Sequence, residues 1–272
     1  MADGVFGHTG KAVITHLAER LTIVMHTILT IVVAAGSGLR MGTELPKQFL
    51  PIGDEPIVMR TLRRLSEGVE QFLTSCSQNV DETVRNFMNV DNCVHKLALV
   101  LPEAYISLWR ELCVKHDFRL PHDIVAGGQT RFHSVKNGLA VSPEADIILV
   151  HDGVRPFADD KVIADVIFAA QQHGAAIPAV PVVDSLRLLN GSGEGSVAVN
   201  RSAYRVVQTP QGFRGGVLRE SYARPYDERF TDDASVVESS ELGKVVLTEG
   251  SPANIKITTP ADMAVAQILL KG

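Results

Sequence analysis

The sequence is poor in cysteine, and its cysteines form no recognisable motif. Cys76, Cys93 and Cys113 are the only three, and none has the C-x-x-C spacing used by zinc sites and redox motifs. Because their number is odd, one thiol stays unpaired under any disulfide scheme. This pattern excludes a disulfide scaffold, gives no zinc or nucleophile signature, and favours a reducing, cytoplasmic compartment.

An excess of basic residues is also absent. The chain has 26 Lys and Arg against 31 Asp and Glu, a net charge of -5 and a pI near 6.0. Without a global basic field, bulk binding of nucleic acid is not expected, although a local group of Arg and Lys can still hold a small polyanion. We expect a small-molecule partner.

The sequence contains no run that is long and apolar enough to cross a membrane. Residues 21–36 are the nearest candidate and resemble a signal sequence, but Thr22, His26 and other polar residues interrupt them. Cleavage after this run would also destroy the glycine-rich loop described below. We therefore interpret residues 1–26 as an N-terminal extension, with Met25 as an alternative start, and expect no membrane partner.

Repeats and interdomain linkers are missing as well, so residues 27–272 are interpreted as one domain. The chain is 45% hydrophobic, which is ordinary for a globular protein. Apolar runs at residues 31–35, 96–102, 147–151 and 176–181 alternate with helical patterns, for example at 56–65 and 105–116. This alternation predicts an α/β fold with a mostly parallel sheet.

Several segments carry more local predictions. The polar stretch at about residues 66–95 has apolar residues every three to four positions and predicts a helical insertion. Two β-rich runs around a Gly/Ser-rich turn predict a hairpin, a β-arm at about residues 182–204. Residues 255–257 predict a short strand. Helices are expected to begin after Thr231 and Asp232, and after Thr259 with Pro260 at the first helical position.

The most informative stretch is a β-branched run that leads into a glycine-rich turn. Gly36 and Gly38 leave the backbone N–H groups open to a ligand, and Arg40 and Lys47 follow at short range. The spacing matches neither the P-loop nor the dinucleotide-binding G-x-G-x-x-G. A loop that holds one polyanion is the functional interpretation; an ordinary glycine turn with two solvated cations is the alternative.

Two further strand ends carry complementary chemistry. Gly128 follows one apolar run, with Ser134 six residues later, and Asp152 ends another run, with Arg155 three residues later. Since open α/β sheets bind ligands at the carboxyl ends of their strands, we expect these groups to meet in one cleft. Asp152 is either a helix-capping or turn carboxylate or a Mg²⁺ ligand, and the glycine loop favours the metal.

Taken together, these stretches carry a family resemblance that spans about residues 28–272. The chain resembles the 2-C-methyl-D-erythritol 4-phosphate cytidylyltransferases of the non-mevalonate isoprenoid pathway. The resemblance implies a doubly wound, Rossmann-like nucleotidyltransferase domain whose β-arm interlocks two subunits in a homodimer. It also implies that CTP and methylerythritol phosphate react to give the CDP-alcohol and pyrophosphate. The matching motifs are residues 34–41, 46–48, 127–134, 151–156, 208–211, 231–235 and 254–257.

The resemblance assigns a role to each matching residue. For catalysis it implies Arg40 and Lys47. For CTP it implies Ala34, Ala35, Gly36, Gly38, Gly128, Ser134, Asp152 and Arg155, with Asp152 also the Mg²⁺ ligand. For the second substrate it implies Thr231 and Lys256 from one subunit, with Ser185 and Arg201 from the partner's arm.

Two residues depart from the family pattern. Gln129 and Asn200 stand where the family often has an acid, which affects the expected cytosine contacts near Gln129 and the expected arm contacts near Asn200.

Two other functions are alternatives for this sequence. One alternative is a cytidylyltransferase for another polyol phosphate, such as ribitol 5-phosphate. Another is a catalytically silent nucleotide-binding protein.

Overall fold

The computed structural model describes residues 23–36, 45–78, 88–89, 92–191 and 195–271. Gly38, Arg40 and the middle of the predicted insertion lie outside these residues. The described strands are β1 (Ile23–Val24), β2 (Thr27–Val33), β3 (Pro51–Ile52), β4 (Glu55–Pro56), β5 (Met88–Asn89), β6 (Val94–Leu101), β7 (Asp123–Ala126), β8 (Ile147–Asp152), β9 (Gly174–Pro181), β10 (Arg187–Leu189), β11 (Ser196–Ala198), β12 (Arg205–Val207), β13 (Gln211–Arg214) and β14 (Lys244–Glu249). The described α-helices are α1 (Ile57–Gln78), α2 (Ile106–Lys115), α3 (Arg131–Leu139), α4 (Asp160–His173), α5 (Gly215–Tyr222), α6 (Asp233–Ser240) and α7 (Pro260–Leu269).

One eight-stranded sheet organises the fold. Its strands follow the order β12-β9-β13-β8-β2-β6-β7, and β14 pairs with β9. Strand β2 is parallel to both β6 and β8, β7 is parallel to β6, and β14 is parallel to β9. Strands β12 and β13 run antiparallel to their neighbours. The mostly parallel sheet predicted from the alternating pattern is therefore confirmed.

Strand β2 shows why helices cover both faces of this sheet. Ile28 and Val32 belong to a core shared with α1, α2 and α4, whereas Leu29 and Ile31 belong to a second core shared with α3, α5 and α6. Successive side chains of a strand point to opposite faces, so a continuous apolar run must be buried on both. The sequence of β2 thus dictates the doubly wound arrangement.

The predicted hairpin is confirmed. Strands β10 and β11 pair antiparallel, with Leu188 opposite Val197, and they form no ladder with the main sheet. Both of these side chains are 61% exposed. The hairpin therefore extends from the domain as an arm with apolar residues on its surface. The helix starts are also as predicted: Asp232 caps α6, and Thr259 caps α7 with Pro260 in its first turn.

Two local predictions differ from the structure. Helix α1 does not end near residue 65 but continues to Gln78, because Val69 and Phe72 extend its buried stripe into the polar stretch. At the other end of the predicted insertion, Val94 and His95 already belong to β6. The first part of the stretch at 66–95 is therefore helical, as predicted, but it continues α1 as far as Gln78; that the stretch is an insertion stays a prediction.

The short strand predicted at residues 255–257 is wrong. Ile257 donates one backbone hydrogen bond to Val154, 3.0 Å long, and Ile255 bonds within its own turn. No strand ladder forms there in the described residues, because the segment crosses the end of the sheet instead of joining an edge. Ile257 is nevertheless fully buried beside Val154, which explains the apolar alternation that suggested a strand.

No helix in the described residues is both long enough and apolar enough to cross a bilayer.

Candidate active site

A cavity of about 420 Å³ opens where β2, β7 and β8 end. The register aligns these ends, since Val33 is opposite both Val100 of β6 and Asp152 of β8, and Leu101 is opposite Ala126 of β7. The carboxyl ends of three strands therefore meet at one place, as the sheet rule predicts. The cavity is lined by Val33, Ala34, Ala35, Gly36, Lys47, Gln48, Gly128, Gln129, Thr130, Arg131, Ser134, Asp152, Val154 and Lys256.

Two glycines let the strand ends approach closely. A Cβ atom at Gly153 would lie 2.8 Å from the Cβ of Ala34, and one at Gly127 would lie 2.9 Å from the Cβ of Ala35. At Gly36, by contrast, a Cβ would meet nothing within 4 Å. The first two glycines serve the packing of the protein itself, whereas the side-chain space at Gly36 is open.

The backbone at the start of the glycine loop is fixed by Gln48. Its Nε2 atom donates to the carbonyl oxygen of Ala34 at 2.7 Å and to that of Gly36 at 3.4 Å. The N–H of Ala34 is bonded to Val100, but no hydrogen bond is recorded for the N–H groups of Ala35 and Gly36 within the described chain. Ala35 and Gly36 are therefore the loop residues whose N–H groups remain available to a ligand.

The second wall is the turn into α3. The hydroxyl of Ser134 accepts from the N–H of Gly128 at 3.1 Å and donates to the carbonyl of Thr130 at 3.0 Å. Thr130 caps the helix. These bonds close the loop over residues 128–134, so its position relative to the glycine loop is set by the helix start.

Asp152 is the acid of the cavity, and three cations surround it. Its Oδ2 lies 2.9 Å from Nζ of Lys256 and 3.4 Å from Nε of Arg155, while its Oδ1 lies 3.9 Å from Nε of Arg131. Burial alone would raise the pKa of Asp152, but the charges of Arg131, Lys256 and Arg155 outweigh it and hold the pKa well below its usual range. The carboxylate is thus ionised at neutral pH.

Arg131 is itself held from behind. Its two terminal nitrogens bind both carboxylate oxygens of Asp233, at 2.9 and 2.6 Å, and the Tyr222 hydroxyl donates to Oδ1 of Asp233 at 2.6 Å. Burial and then the charge of Asp233 raise the pKa of Tyr222 well above its usual value, so this hydroxyl keeps its proton. A buried chain of polar groups therefore runs from the α5–α6 layer to the cavity wall.

A second buried chain fixes the backbone of Asp152. Its N–H donates to the hydroxyl of Thr209 at 3.1 Å, and that hydroxyl lies 3.2 Å from Nδ1 of His151. Nε2 of His151 lies 2.9 Å from the carbonyl of Arg155, which can only accept, so the ring proton is on Nε2. Burial lowers the pKa of His151 to about 4, which keeps the ring neutral and suits this arrangement.

A resident metal site formed by protein ligands alone is not present in the described part of the chain, where no group of three His, Cys, Asp or Glu side chains comes together. Asp152 supplies one carboxylate in the cavity. Mg²⁺ commonly takes one or two carboxylates together with phosphate oxygens of a substrate. The donor set therefore suits a magnesium ion that arrives with a polyphosphate.

The family of this chain is decided by comparison with known proteins. The model of the family described as 2-C-methyl-D-erythritol 4-phosphate cytidylyltransferase matches residues 28–73 and 63–272. The chain belongs to this family. It is accordingly a nucleotidyltransferase.

Individual cytidylyltransferases agree with the family model. The chain is 46% identical to the 2-C-methyl-D-erythritol 4-phosphate cytidylyltransferase of Bacteroides fragilis and 44% identical to that of Phocaeicola vulgatus, covering 88% of this chain and 98% of each relative. Among solved structures, the 4-diphosphocytidyl-2C-methyl-D-erythritol synthase of Anaerococcus prevotii has a TM-score of 0.69 at 26% identity, over 91% of this chain and 99% of the other. The enzyme from Thermus thermophilus gives 0.63 at 28% identity, over 91% and 100%.

Most of the residues implied by the cytidylyltransferase resemblance come together. The cavity is lined by Ala34, Ala35, Gly36, Lys47, Gly128, Ser134, Asp152 and Lys256. Arg155 contacts Asp152 from behind and donates to the carbonyl of Asn254 at 2.8 Å. Gly38 and Arg40 lie outside the described residues.

Three of the expected substrate residues do not line the cavity in the described chain. Ser185 and Arg201 belong to the exposed arm, where Arg201 donates to the carbonyl of Val183. Thr231 is exposed just before α6, and its N–H donates to Ser235 Oγ at 3.1 Å. The sequence interpretation assigned these two arm residues to the site of a partner subunit, and that assignment stays a prediction.

The sequence interpretation treated Arg131 only as a ligand donor at its strand end, and it gave no role to Gln48, Thr130 and Asp233. Gln48, Thr130 and Arg131 line the cavity, and Asp233 anchors Arg131. Gln48 and Arg131 stand inside the matching motifs, so their position was visible in the sequence. Their partners were not, because Arg131 and Asp233 are 102 residues apart.

Proposed function

We propose that this chain transfers the cytidylyl group of CTP to 2-C-methyl-D-erythritol 4-phosphate, giving 4-diphosphocytidyl-2-C-methyl-D-erythritol and pyrophosphate. The observation that carries the proposal is the single cavity that joins the glycine loop, Lys47 and Asp152 at the carboxyl ends of three strands. Family membership supplies the reaction, and the cavity supplies groups that suit a nucleoside triphosphate. The three cysteines are free thiols, which supports a reducing, cytoplasmic setting.

In this proposal the glycine loop holds the triphosphate. The open N–H groups of Ala35 and Gly36, with Gly38 beyond them, donate to phosphate oxygens, and Ala34 shapes the strand end. Lys47 and Arg40 place positive charge at the α-phosphorus and its leaving group. Gly128 and Ser134 form the wall for the cytidine, and Arg155 holds the 254–257 segment so that Lys256 reaches the reacting centre.

The chemistry needs no general base. An oxygen of the methylerythritol phosphate monoester, already anionic at neutral pH, attacks the α-phosphorus of CTP, and the bond from that phosphorus to the pyrophosphate oxygen breaks. Catalysis therefore rests on in-line positioning and on stabilisation of the developing negative charge. The cations around Asp152 and the Lys47 side chain supply that stabilisation, and no catalytic triad is required.

Magnesium is the metal that we propose for the reaction. Asp152 would hold it together with the triphosphate, and it would neutralise charge on the phosphate oxygens. Lys256 and Arg155, which contact Oδ2 of Asp152, would then share their charge with the incoming phosphates. The positive charges of Lys256 and Arg155 would thus keep the Asp152 carboxylate ionised until the magnesium ion arrives with the triphosphate.

For the second substrate we propose a site completed by a homodimer. Thr231 and Lys256 would bind methylerythritol phosphate from one subunit, and Ser185 and Arg201 would come from the partner's arm. The arm supports this because its exposed apolar residues need a covering surface, and the adjacent strand β12 adds two more. The arm residues are Val183, Leu188, Leu189, Val197 and Tyr204, and those of β12 are Val206 and Val207. An isolated hairpin is also marginally stable, so a partner would stabilise it.

A substrate panel with pyrophosphate release as the readout tests the proposal. CTP with methylerythritol phosphate should give magnesium-dependent release, whereas ribitol 5-phosphate and erythritol 4-phosphate should give at most slow release. Replacing CTP with ATP or UTP tests the specificity for the nucleotide base. Preference for ribitol 5-phosphate, or binding of CTP without any release, would contradict the proposal.

A further inference from the structure

Asp233 and Tyr222 lie outside the cavity, yet they determine what stands in its wall. Asp233 is fully buried and engages both terminal nitrogens of Arg131. Tyr222, 1% exposed, donates to the same carboxylate. A bidentate arginine–carboxylate pair fixes the plane of the guanidinium, so Arg131 has little freedom to rotate. Only its Nε edge is turned to Asp152.

The distances around Asp152 show what the restraint on Arg131 leaves open. Oδ2 is shared by Lys256 and Arg155, at 2.9 and 3.4 Å. Oδ1 has Arg131 at 3.9 Å, which is too long for a hydrogen bond, and no hydrogen bond to Oδ1 is recorded within the described residues. Asp152 is the one carboxylate among the cavity-lining residues that the structure describes, and one of its oxygens is therefore left available although a guanidinium stands beside it.

Without Asp233, Arg131 would turn to Asp152. Arg131 contacts two carboxylates, and Asp233 holds it by two hydrogen bonds while Asp152 stands beyond hydrogen-bond range. If the negative charge of Asp233 were lost, Asp152 would be the remaining carboxylate partner. A small movement would then let the guanidinium donate to Oδ1 and occupy it.

We propose that Asp233 and Tyr222 are positioning residues that hold Arg131 in the cavity wall, away from Asp152, so that Oδ1 stays available to the cation of the bound triphosphate. The proposal rests on the proposed function for the identity of that ligand. It assigns no chemistry to Asp233 or Tyr222 themselves. Their effect reaches the reaction only through the position of Arg131.

The test compares metal binding in a set of variants. Mn²⁺ serves as the probe, its binding is followed by electron paramagnetic resonance in the presence of a non-hydrolysable CTP analogue, and melting temperatures are recorded alongside. Asp233→Asn should weaken Mn²⁺ binding roughly tenfold, and Tyr222→Phe roughly threefold, in line with the loss of charge-assisted and single hydrogen bonds. Tyr226→Phe, in the same aromatic cluster, is the matched control and should bind as wild type.

The decisive variant combines Asp233→Asn with Arg131→Met. The double substitution removes the buried carboxylate of Asp233 and also the guanidinium of Arg131 that its loss would release. Methionine keeps much of the aliphatic stem of Arg131. We expect Mn²⁺ affinity to return to within about threefold of wild type, because the competitor for Oδ1 is gone. A merely structural role for Asp233 would instead make the double variant at least as weak as the single one, and that result would overturn the proposal.

Failure of this inference is distinguishable from failure of the proposed function. Wild-type protein that releases no pyrophosphate from CTP and methylerythritol phosphate would refute the function itself. Active wild-type protein combined with unchanged Mn²⁺ affinity in Asp233→Asn would refute only the positioning role.

Discussion

The side-chain amide of Gln48 donates to the carbonyl oxygen of Ala34 at 2.7 Å. The C=O and N–H groups of a trans peptide point in opposite directions, so the next N–H, that of Ala35, points away from Gln48. A single buried side chain therefore sets the direction of the first open donor of the glycine loop.

Replacing this amide tests its importance. Gln48→Glu places a carboxylate against two carbonyl oxygens, loses both donated bonds and leaves a buried acceptor without a partner. We expect the KM for CTP to rise roughly tenfold or more, with a smaller change in kcat, because the loop binds ground state and transition state alike. Steady-state kinetics measure this, with Gln267→Glu on the exposed face of α7 as the control. An unchanged KM would show that the loop keeps its shape without Gln48.

The role proposed for Lys47 predicts a loss in turnover. Removing one aimed donor typically costs on the order of 3–4 kcal/mol of transition-state stabilisation, so Lys47→Ala should lower kcat by roughly a hundredfold or more. Lys161→Ala is the matched control, since Lys161 lies on the surface in ion pairs with Asp165 and Glu249. Pyrophosphate release at saturating substrates gives both values. Near-normal turnover in Lys47→Ala would remove that residue from the catalytic machinery.

His95 predicts how stability depends on pH. Burial lowers its pKa from 6.5 to about 4, and its Nε2 lies 2.9 Å from the hydroxyl of the buried Thr30. The folded state therefore favours the neutral ring. As the pH falls from 6.5 toward 4, the unfolded chain binds a proton that the folded chain does not, and the free energy of unfolding decreases by up to about 1.4 kcal/mol per pH unit.

Denaturant unfolding at about pH 7 and about pH 5 measures this effect. His95→Gln retains a hydrogen-bonding side chain but cannot titrate, so its free energy of unfolding should fall less between the two pH values than that of wild type. Equal slopes for both proteins would mean that His95 does not contribute to the acid sensitivity.

The β-arm predicts a change of oligomeric state. Leu188 and Val197 are opposite each other on the arm and are both 61% exposed. If the arm packs on a partner subunit, Leu188→Asp combined with Val197→Asp should convert the dimer to monomer, because two charges would be buried without partners. Light scattering after size-exclusion chromatography reports the mass. Leu242→Asp, another exposed leucine outside the arm, should leave it unchanged, and monomeric wild-type protein would contradict the proposal.

How much could be predicted from the sequence depends on the range of the interactions involved. The apolar run of β2 and the capping pair of Thr259 and Asp262 act locally, and both elements were predicted, although β2 spans Thr27–Val33 and not 31–35. The segment at residues 255–257 misled because Ile255 and Ile257 both pack on one apolar cluster while Lys256 is exposed, which gives the same alternation as a strand. The site motifs follow directly after apolar runs, so their positions in the sequence indicated that they lie at the carboxyl ends of strands, where the structure brings them together.

The contacts behind the site could not be predicted in the same way. The pairing of Arg131 with Asp233, and the hydrogen bond that the N–H of Asp152 donates to Thr209, join residues 102 and 57 positions apart. The first depends on how α3 and α6 pack on one face of the sheet, and the second on the pairing of β13 with β8. No local pattern specifies such partners, so charges inside the site were foreseeable while the groups that orient them were not.

The cluster around Asp152 also affects how fast a nucleotide arrives. The chain as a whole carries a net charge of -5, yet Lys47, Arg131, Arg155 and Lys256 gather at one cleft around two carboxylates. A triphosphate approaching from solution therefore meets an attractive local field on a molecule that repels it at long range. At 0.1 M salt the Debye length is about 10 Å, so added salt should screen both the local attraction and the long-range repulsion, while the contacts within the cleft are much less affected. Because these two contributions to the association rate oppose each other, the rate should depend less on ionic strength than the local charge alone would suggest.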